Sequence, residues 1–366
     1  MRNKYQLQIG EILHTTGIKP KQLLDLTFLF WKFNQVNQSS RIDSNAMVFL
    51  NIMKNNGVGL SDYFRESKFT EDVITRVLKR RLHHLLDTNV LFEYLLMLDE
   101  NIYFNSMKFL SEIADREHSD GQSTIEVSRF IAWLLVKDIE NNSSIFSFIA
   151  HNSTVLQCLI ESGKVNNFIC YESNFDSVID RYIQFDFNDV SSFSVIDFPI
   201  YGNDNVELPL NVDIAFSQFP WFIDLPKEEI ENHFFRVCSF PDFAFLINLA
   251  RTLSINGKAI TLIHDTLFRL KKFKKDRQSL IESGYIESVV SLPSSSIVGY
   301  SGNPCLIILS RHNDNINCYD FSKLDKWSVE KFRFEYQAGN EDTYKVIDLK
   351  DFENYGYRSE ERRVGK

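Results

Sequence analysis

The sequence predicts an α/β domain built on a doubly wound mixed sheet, preceded by an all-helical amino-terminal domain. Two observations predict it. Up to about residue 110 apolar residues recur at three- and four-residue intervals, and from about residue 120 short β-prone runs alternate with helical stretches. Near the end, two strand-like runs follow one another with no helix between them, which makes the sheet mixed. The expected divisions are a helical domain over 1–110, the α/β domain over 111–335 and a carboxy-terminal extension over 336–366.

In the first part, KPKQLLDLTFLFWKF places Leu23, Leu24, Thr27, Phe28 and Trp31 on one helical face. The stretch TEDVITRVLKRRLHHLLDTNVLFEYLLML repeats the period with Val73, Val77, Leu78, Leu82, Leu85 and Leu86. Thr70, Glu71 and Asp72 suit its start, because acidic groups favour the positive end of the helix dipole.

In the second part the strand candidates are SSIFSFIA, NNFICYES, VDIAFSQF, KAITLIH, IESVVSL and PCLIILS. SRFIAWLLVKDI, FAFLINLARTL and KKDRQSLIES read as the helices between them. Apolar strands alternating with helices imply a sheet covered on both faces. The run SGNPCLIILSRHNDNINCYDFS reads as two neighbouring strands joined by a polar turn at Asn313–Asn315. The final RSEERRVGK is charged and aperiodic, and is expected to be a disordered or non-native tail.

Composition narrows the function classes. With 44% hydrophobic and 24% charged residues, the 366-residue chain is ordinary for a globular protein, and its 32 Phe supply ample apolar area for a core. A formal charge of −9 argues against indiscriminate coating of nucleic acid or acidic membranes, while leaving room for one local basic face. Five cysteines without C-x-x-C spacing imply reduced thiols rather than a zinc site or a disulfide framework. MRNKYQLQIGEIL lacks the apolar core of a signal peptide, and LLDLTFLFW is short and interrupted by Asp25, so a cytoplasmic location is expected.

The stretch Gly257–Ser322 carries Gly257–Lys258, Leu267–Phe268, Arg277, Glu287–Ser288–Val289–Val290, Leu292–Pro293 and Gly302–Asn303–Pro304–Cys305 in order. That series resembles the distal methylase domain of type I restriction–modification DNA adenine-N6 methyltransferases. The likeness extends more weakly upstream to about residue 85, and GIKPKQLLDLTFLFWKF resembles the family's amino-terminal helical domain. The resemblance implies a methyltransferase-type sheet, S-adenosylmethionine as cofactor, double-stranded DNA as substrate, and specificity and restriction subunits as partners.

It also locates four motifs. A cofactor-touching segment corresponds to Gly121–Gln122–Ser123–Thr124–Ile125–Glu126–Val127, where Gln122 is the implied contact. The glycine-rich cofactor turn corresponds to Phe148–Ile149–Ala150–His151–Asn152–Ser153–Thr154, which has no glycine and no leading acid; Asn152 and Ser153 are its polar members. The acid that accepts the ribose hydroxyls corresponds to Glu172, for which an exposed strand-end carboxylate is the alternative. The catalytic Asn-Pro-Pro-Phe loop corresponds to Gln218–Phe219–Pro220–Trp221. There the amide of Gln218 and the Phe219 carbonyl would hold the adenine amine, Pro220 would stiffen the loop, and Trp221 would stack on a flipped base. An ordinary strand end with core-filling Phe and Trp is the alternative.

A basic cluster of Arg269, Lys271, Lys272, Lys274, Lys275 and Arg277 suits DNA phosphates, or else is a solvated helix start. Lys79, Arg80, Arg81, His83 and His84 read as a solvated helix face; adjacent histidines point about 100° apart and make a poor metal pair. No metal site is expected. Because the cofactor turn is filled by side chains, cofactor binding is expected to be weak or lost. The rival to an active enzyme is an inactive pseudo-methyltransferase that binds DNA or a subunit.

Overall fold

The computed structural model describes residues 4–37, 41–54, 88–117, 123–139, 141–150, 153–173, 175–198, 207–218, 227–231, 236–298, 304–324 and 327–348. Contacts divide the chain into two compact units, Met1–Ser119 and Asp120–Lys366.

The described part of the first unit is helical: α1 (Lys4–Thr16), α2 (Pro20–Val36), α3 (Ile42–Lys54), α4 (Thr88–Leu96) and α5 (Glu100–Glu117). Pro20 opens α2, where its missing N–H costs nothing, and the Gln22 side chain accepts from the Lys19 N–H at 3.0 Å. α2 is buried on nearly every side, through Leu23, Leu26, Phe28, Leu29, Phe30 and Phe33. Phe49 of α3 packs edge-on to Phe30, and Tyr103 of α5 stacks on Trp31 with ring centroids 4.4 Å apart. Thr27 interrupts this apolar surface, but its hydroxyl is satisfied locally, bonding the Leu23 carbonyl at 2.6 Å and the Tyr94 hydroxyl at 2.8 Å. The periodic stretch from Thr70 lies outside the described residues as far as 87, together with Lys79, Arg80, Arg81, His83 and His84.

Among the described residues the second unit is built on nine strands: β1 (Ser143–Ala150), β2 (Val165–Glu172), β3 (Ser192–Asp197), β4 (Val212–Gln218), β5 (Leu253–His264), β6 (Ile286–Ser291), β7 (Pro304–Leu309), β8 (Asn315–Asp320) and β9 (Tyr344–Asp348). Their order is β3-β2-β1-β4-β5-β7-β6-β8-β9. The first five are mutually parallel, β7 runs antiparallel to both β5 and β6, and β9 runs antiparallel to β8. Mixed pairing and helices on both faces agree with the expected doubly wound sheet.

Alternation along the strands feeds two cores. Phe146, Phe148, Val289 and Ile307 join α9 (Pro241–Thr252) and α10 (Lys274–Glu282) on one face. Ile145, Phe168, Phe216, Val290 and Ile308 join α6 (Ile125–Val136), α7 (Ser153–Ser162), α8 (Phe175–Phe187) and α11 (Val329–Ala338) on the other. Each fully buried Phe contributes roughly 1.5–3 kcal/mol of transfer free energy, so the over-used residue shares the apolar filling with Leu and Ile.

One expectation is corrected. β7 and β8 are not neighbours, because β6 lies between them, antiparallel to β7 and parallel to β8. The turn at 310–314 steps over the entry to β6: Asn313 donates from both its backbone N–H and its side-chain amide to the Gly284 carbonyl, each at 3.0 Å. α11 and β9 are the last described elements of the second unit, and the final RSEERRVGK lies outside the described residues. None of the five cysteines is in a disulfide, and burial pushes the Cys158 and Cys238 thiols up to about 11 and that of Cys318 to about 12. Among the described residues no helix is long and apolar enough to cross a membrane.

Candidate active site

Because β3, β2, β1, β4 and β5 are parallel, their carboxyl ends form one rim, where open α/β sheets place ligands. β1 occupies the middle. β2 flanks it on one side with Phe148 opposite Tyr171, and β4 on the other with Phe148 opposite Ser217. Glu172 therefore ends the strand to one side of β1 and Gln218 ends the strand to the other. Asp197, which sequence reasoning did not single out, ends β3 in register with Glu172.

β1 bends near its end without glycine. Ile149 has φ 51°, a left-handed conformation that a β-branched residue adopts only at a cost. It is the extra residue of a bulge, since Phe148 pairs with Ser217 and Ala150 with Gln218. Phe148, at the position of the leading acid, faces the core and stacks on Phe245 with centroids 4.6 Å apart. Asn152 lies outside the described residues, and Ser153 opens α7.

Glu172 is fully buried, which removes the reading of an exposed strand-end carboxylate. Its Oε1 accepts from Arg181 Nε of α8 at 2.7 Å. Its Oε2 is buried without a hydrogen-bond partner among the described residues. Burial pushes this carboxyl up, and the Arg181 guanidinium only partly offsets it. Arg181 escaped sequence reasoning because it sits nine residues on, across a strand-to-helix junction, with no motif to mark it.

Gln218, the last residue of β4, is buried, whereas Phe219, Pro220 and Trp221 lie outside the described residues. Gln122 does so as well, with Gly121. The segment that follows them is anchored by an antiparallel bridge between Ser123 and Ile297 and by Thr124 N–H donating to the Ser296 carbonyl at 2.9 Å. Glu126 is engaged by a helix start: its Oε2 accepts from the Val329 N–H at 2.8 Å and caps α11.

The basic cluster follows β5 at the same rim. Lys271, Lys272, Lys274 and Lys275 are all exposed around the buried Phe273, and Lys272 lies 4.6 Å from the Phe273 ring centroid. Arg269 closes the short helix Thr266–Arg269. Arg277 does not belong to this surface: it is buried, and its Nη1 donates to the Leu267 and Leu270 carbonyls at 3.0 and 3.3 Å. Asp276 is likewise buried, accepting from the Ser239 N–H at 2.8 Å. At the opposite end of the sheet Gly257 is a close-approach glycine, since an added Cβ would stand 2.6 Å from the Val212 carbonyl oxygen.

The family model for N-6 DNA methylase matches residues 186–361. That match covers just under half of the chain and lies within the second unit. The matched region takes in β3 to β9 and the Gln218 loop, and begins after the β1 turn and Glu172. Among solved structures, the chain is similar to the type I restriction-modification system methyltransferase subunit from Streptococcus thermophilus, with TM-score 0.73 and 13% identity over 96% of this chain and 97% of that one. A structure from a study of complex assembly and conformational transition in the type I restriction–modification system aligns with TM-score 0.69 and 15% identity, over 92% of this chain and 84% of that one. A putative class I S-adenosylmethionine-dependent methyltransferase from Listeria monocytogenes aligns with TM-score 0.54 and 15% identity, over 84% and 97%. At these identities the likeness concerns the fold. No curated protein matches the chain by sequence.

Two features bear on S-adenosylmethionine. The unpartnered Glu172 Oε2 is a fitting acceptor for a ribose hydroxyl, and the left-handed Ile149 bends the end of β1 three residues before Asn152, the position of the family's first glycine. The acceptor chemistry thus fits the ribose end, on a carboxyl that is fully buried.

Proposed function

We propose that this chain is an S-adenosylmethionine-dependent DNA adenine-N6 methyltransferase, the methylation subunit of a restriction–modification system, acting on double-stranded DNA beside specificity and restriction subunits. The observation that carries this reading is the placement of Glu172 and Gln218 on either side of β1 at one rim of a sheet matched in part by the N-6 DNA methylase family model.

In this reading Glu172 holds the ribose, with Gln122, Asn152 and Ser153 lining the turn side of the cofactor. The Gln218 amide oxygen and the Phe219 carbonyl accept from the adenine amine, orienting its lone pair, while Pro220 limits the loop and Trp221 stacks on the extruded base. The bound cofactor supplies an electrophilic methyl group. The protein's share is geometry and exclusion of water rather than a strong base. Arg269, Lys271, Lys272, Lys274 and Lys275 neutralise DNA phosphates and set register without reading sequence.

The glycine-free turn and the core-facing Phe148 are what favour the rival, an inactive DNA- or subunit-binding relative with weak or lost cofactor affinity. One pair of measurements separates them. Calorimetric titration with S-adenosylmethionine is expected to show saturable binding at millimolar or tighter affinity. Incubation with methyl-labelled cofactor and mixed-sequence DNA, with the specificity subunit supplied, is expected to yield labelled N6-methyladenine. A folded chain that binds no cofactor and labels no DNA refutes the proposal.

A further inference from the structure

We infer that Arg181 is a positioning residue that makes the end of β2 selective for a ribose diol, an inference that rests on the reading of Glu172 as the ribose acceptor. Arg181 and Glu172 are 3% and 0% exposed in their side chains and meet at 2.7 Å. The contact comes from α8 and engages only Oε1, leaving Oε2 as the oxygen that can accept from a ligand. Arg181 is itself fixed, since its Nη1 donates to Gln184 Oε1 at 3.1 Å one turn further along the same helix.

A buried carboxyl group without a cation takes up a proton, and a carboxylic acid presents one donor where a diol needs acceptors. Among the described residues, the charged or titratable groups that act on Glu172 are Arg181 and Asp180 from α8 and Cys170 on its own strand, with Asp197 in backbone register on β3; β1 brings Phe148 and Ile149. Arg181 is the only cation in that set. Its role is to keep Glu172 ionised and to occupy one oxygen, so that the second is offered in a single orientation.

The test titrates the full chain calorimetrically with S-adenosylhomocysteine and with its 2′,3′-dideoxy analogue, which lacks the hydroxyls in question. Wild type is expected to prefer the diol at least about tenfold, the worth of one hydrogen bond to a charged group. Glu172→Gln is expected to abolish the preference. If wild type shows no preference, or Glu172→Gln keeps it, the ribose reading itself is wrong and the inference falls with it. Given that preference, Arg181→Met is expected to lose it at neutral pH and to recover it as the pH is raised and the uncompensated carboxyl ionises. A folded Arg181→Met that retains the preference at neutral pH, or that loses both ligands equally at every pH, overturns the inference. Should Arg181→Met not fold, Arg181→Lys serves: a shifted pH profile with reduced preference supports the assignment, and an unchanged profile refutes it.

Discussion

The Ser217 hydroxyl donates to the carbonyl oxygen of Phe148 at 2.6 Å, a buried bond from β4 to the residue just before the bulge in β1. It ties the strand that leads into Gln218 to the strand that leads into the cofactor turn. Removing it leaves a buried carbonyl without this donor. Ser217→Ala is expected to destabilise the second unit by about 1–3 kcal/mol and to weaken S-adenosylmethionine binding in parallel. Chemical denaturation and calorimetry check both, and a variant with wild-type stability would show that the bond carries no weight.

Ile149 offers a prediction of sign. At an ordinary strand position glycine is worse than alanine by roughly 0.5–1 kcal/mol. At φ 51° the order inverts, because only glycine is unstrained there. Ile149→Gly and Ile149→Ala both lose a buried side chain, yet the glycine variant is expected to melt at the higher temperature. At Ile145, fully buried on the same strand, the alanine variant is expected to be the more stable of the pair.

Gly257 tolerates no side chain. A Cβ would meet the Val212 carbonyl oxygen at 2.6 Å and the Ser254 nitrogen at 2.9 Å, both backbone atoms that cannot swing away. Gly257→Ala is expected to cost about 1–3 kcal/mol, read as a lowered denaturation midpoint with an unchanged slope.

For the lysines, the prediction concerns salt. If Lys271, Lys272, Lys274 and Lys275 lie on phosphates, replacing all four with Gln lowers the slope of log K against log salt by up to about 3.6, at roughly 0.9 per phosphate. Filter retention across a salt series measures it, and an unchanged slope removes these residues from the interface. Arg277→Gln, by contrast, is expected to lower stability, because Arg277 is buried and bonded to two carbonyls.

In the first unit, burial raises the Tyr94 hydroxyl from its ordinary value to about 12. Folded and unfolded forms are both neutral below about pH 10, where its contribution is complete. Between the two values the unfolded chain alone ionises, so stability falls as pH rises through that window. Alkaline titration of Tyr94→Phe beside wild type is expected to show a shallower loss for the variant.

Much of the sheet was legible because buried parallel strands announce themselves as apolar runs; SSIFSFIA spans β1 from end to end. β3 and β9 were not legible, since they are edge strands with several exposed positions each, and their mixed patterns resemble loops. The supposed pairing of β7 with β8 failed because a short polar turn is compatible with crossing one strand as well as with a hairpin. At the site, residue identity located Glu172 and Gln218 at strand ends. It could not show Ile149 in a conformation normally written with Gly or Asn, nor separate Arg277, turned inward, from the outward lysines beside it. Those facts depend on backbone direction, which charge pattern does not encode.

The position of β7 has a consequence for synthesis. The free edge of β5, with Ala259, Ile260 and Leu262 along it, is covered by residues 304–309, and β6 reaches the sheet only through β7 and β8. A nascent chain that has emerged only as far as residue 303 therefore holds an open apolar strand edge and an unanchored sixth strand. Until translation delivers the next few residues, that intermediate depends on chaperones or on speed to avoid pairing with another copy of itself.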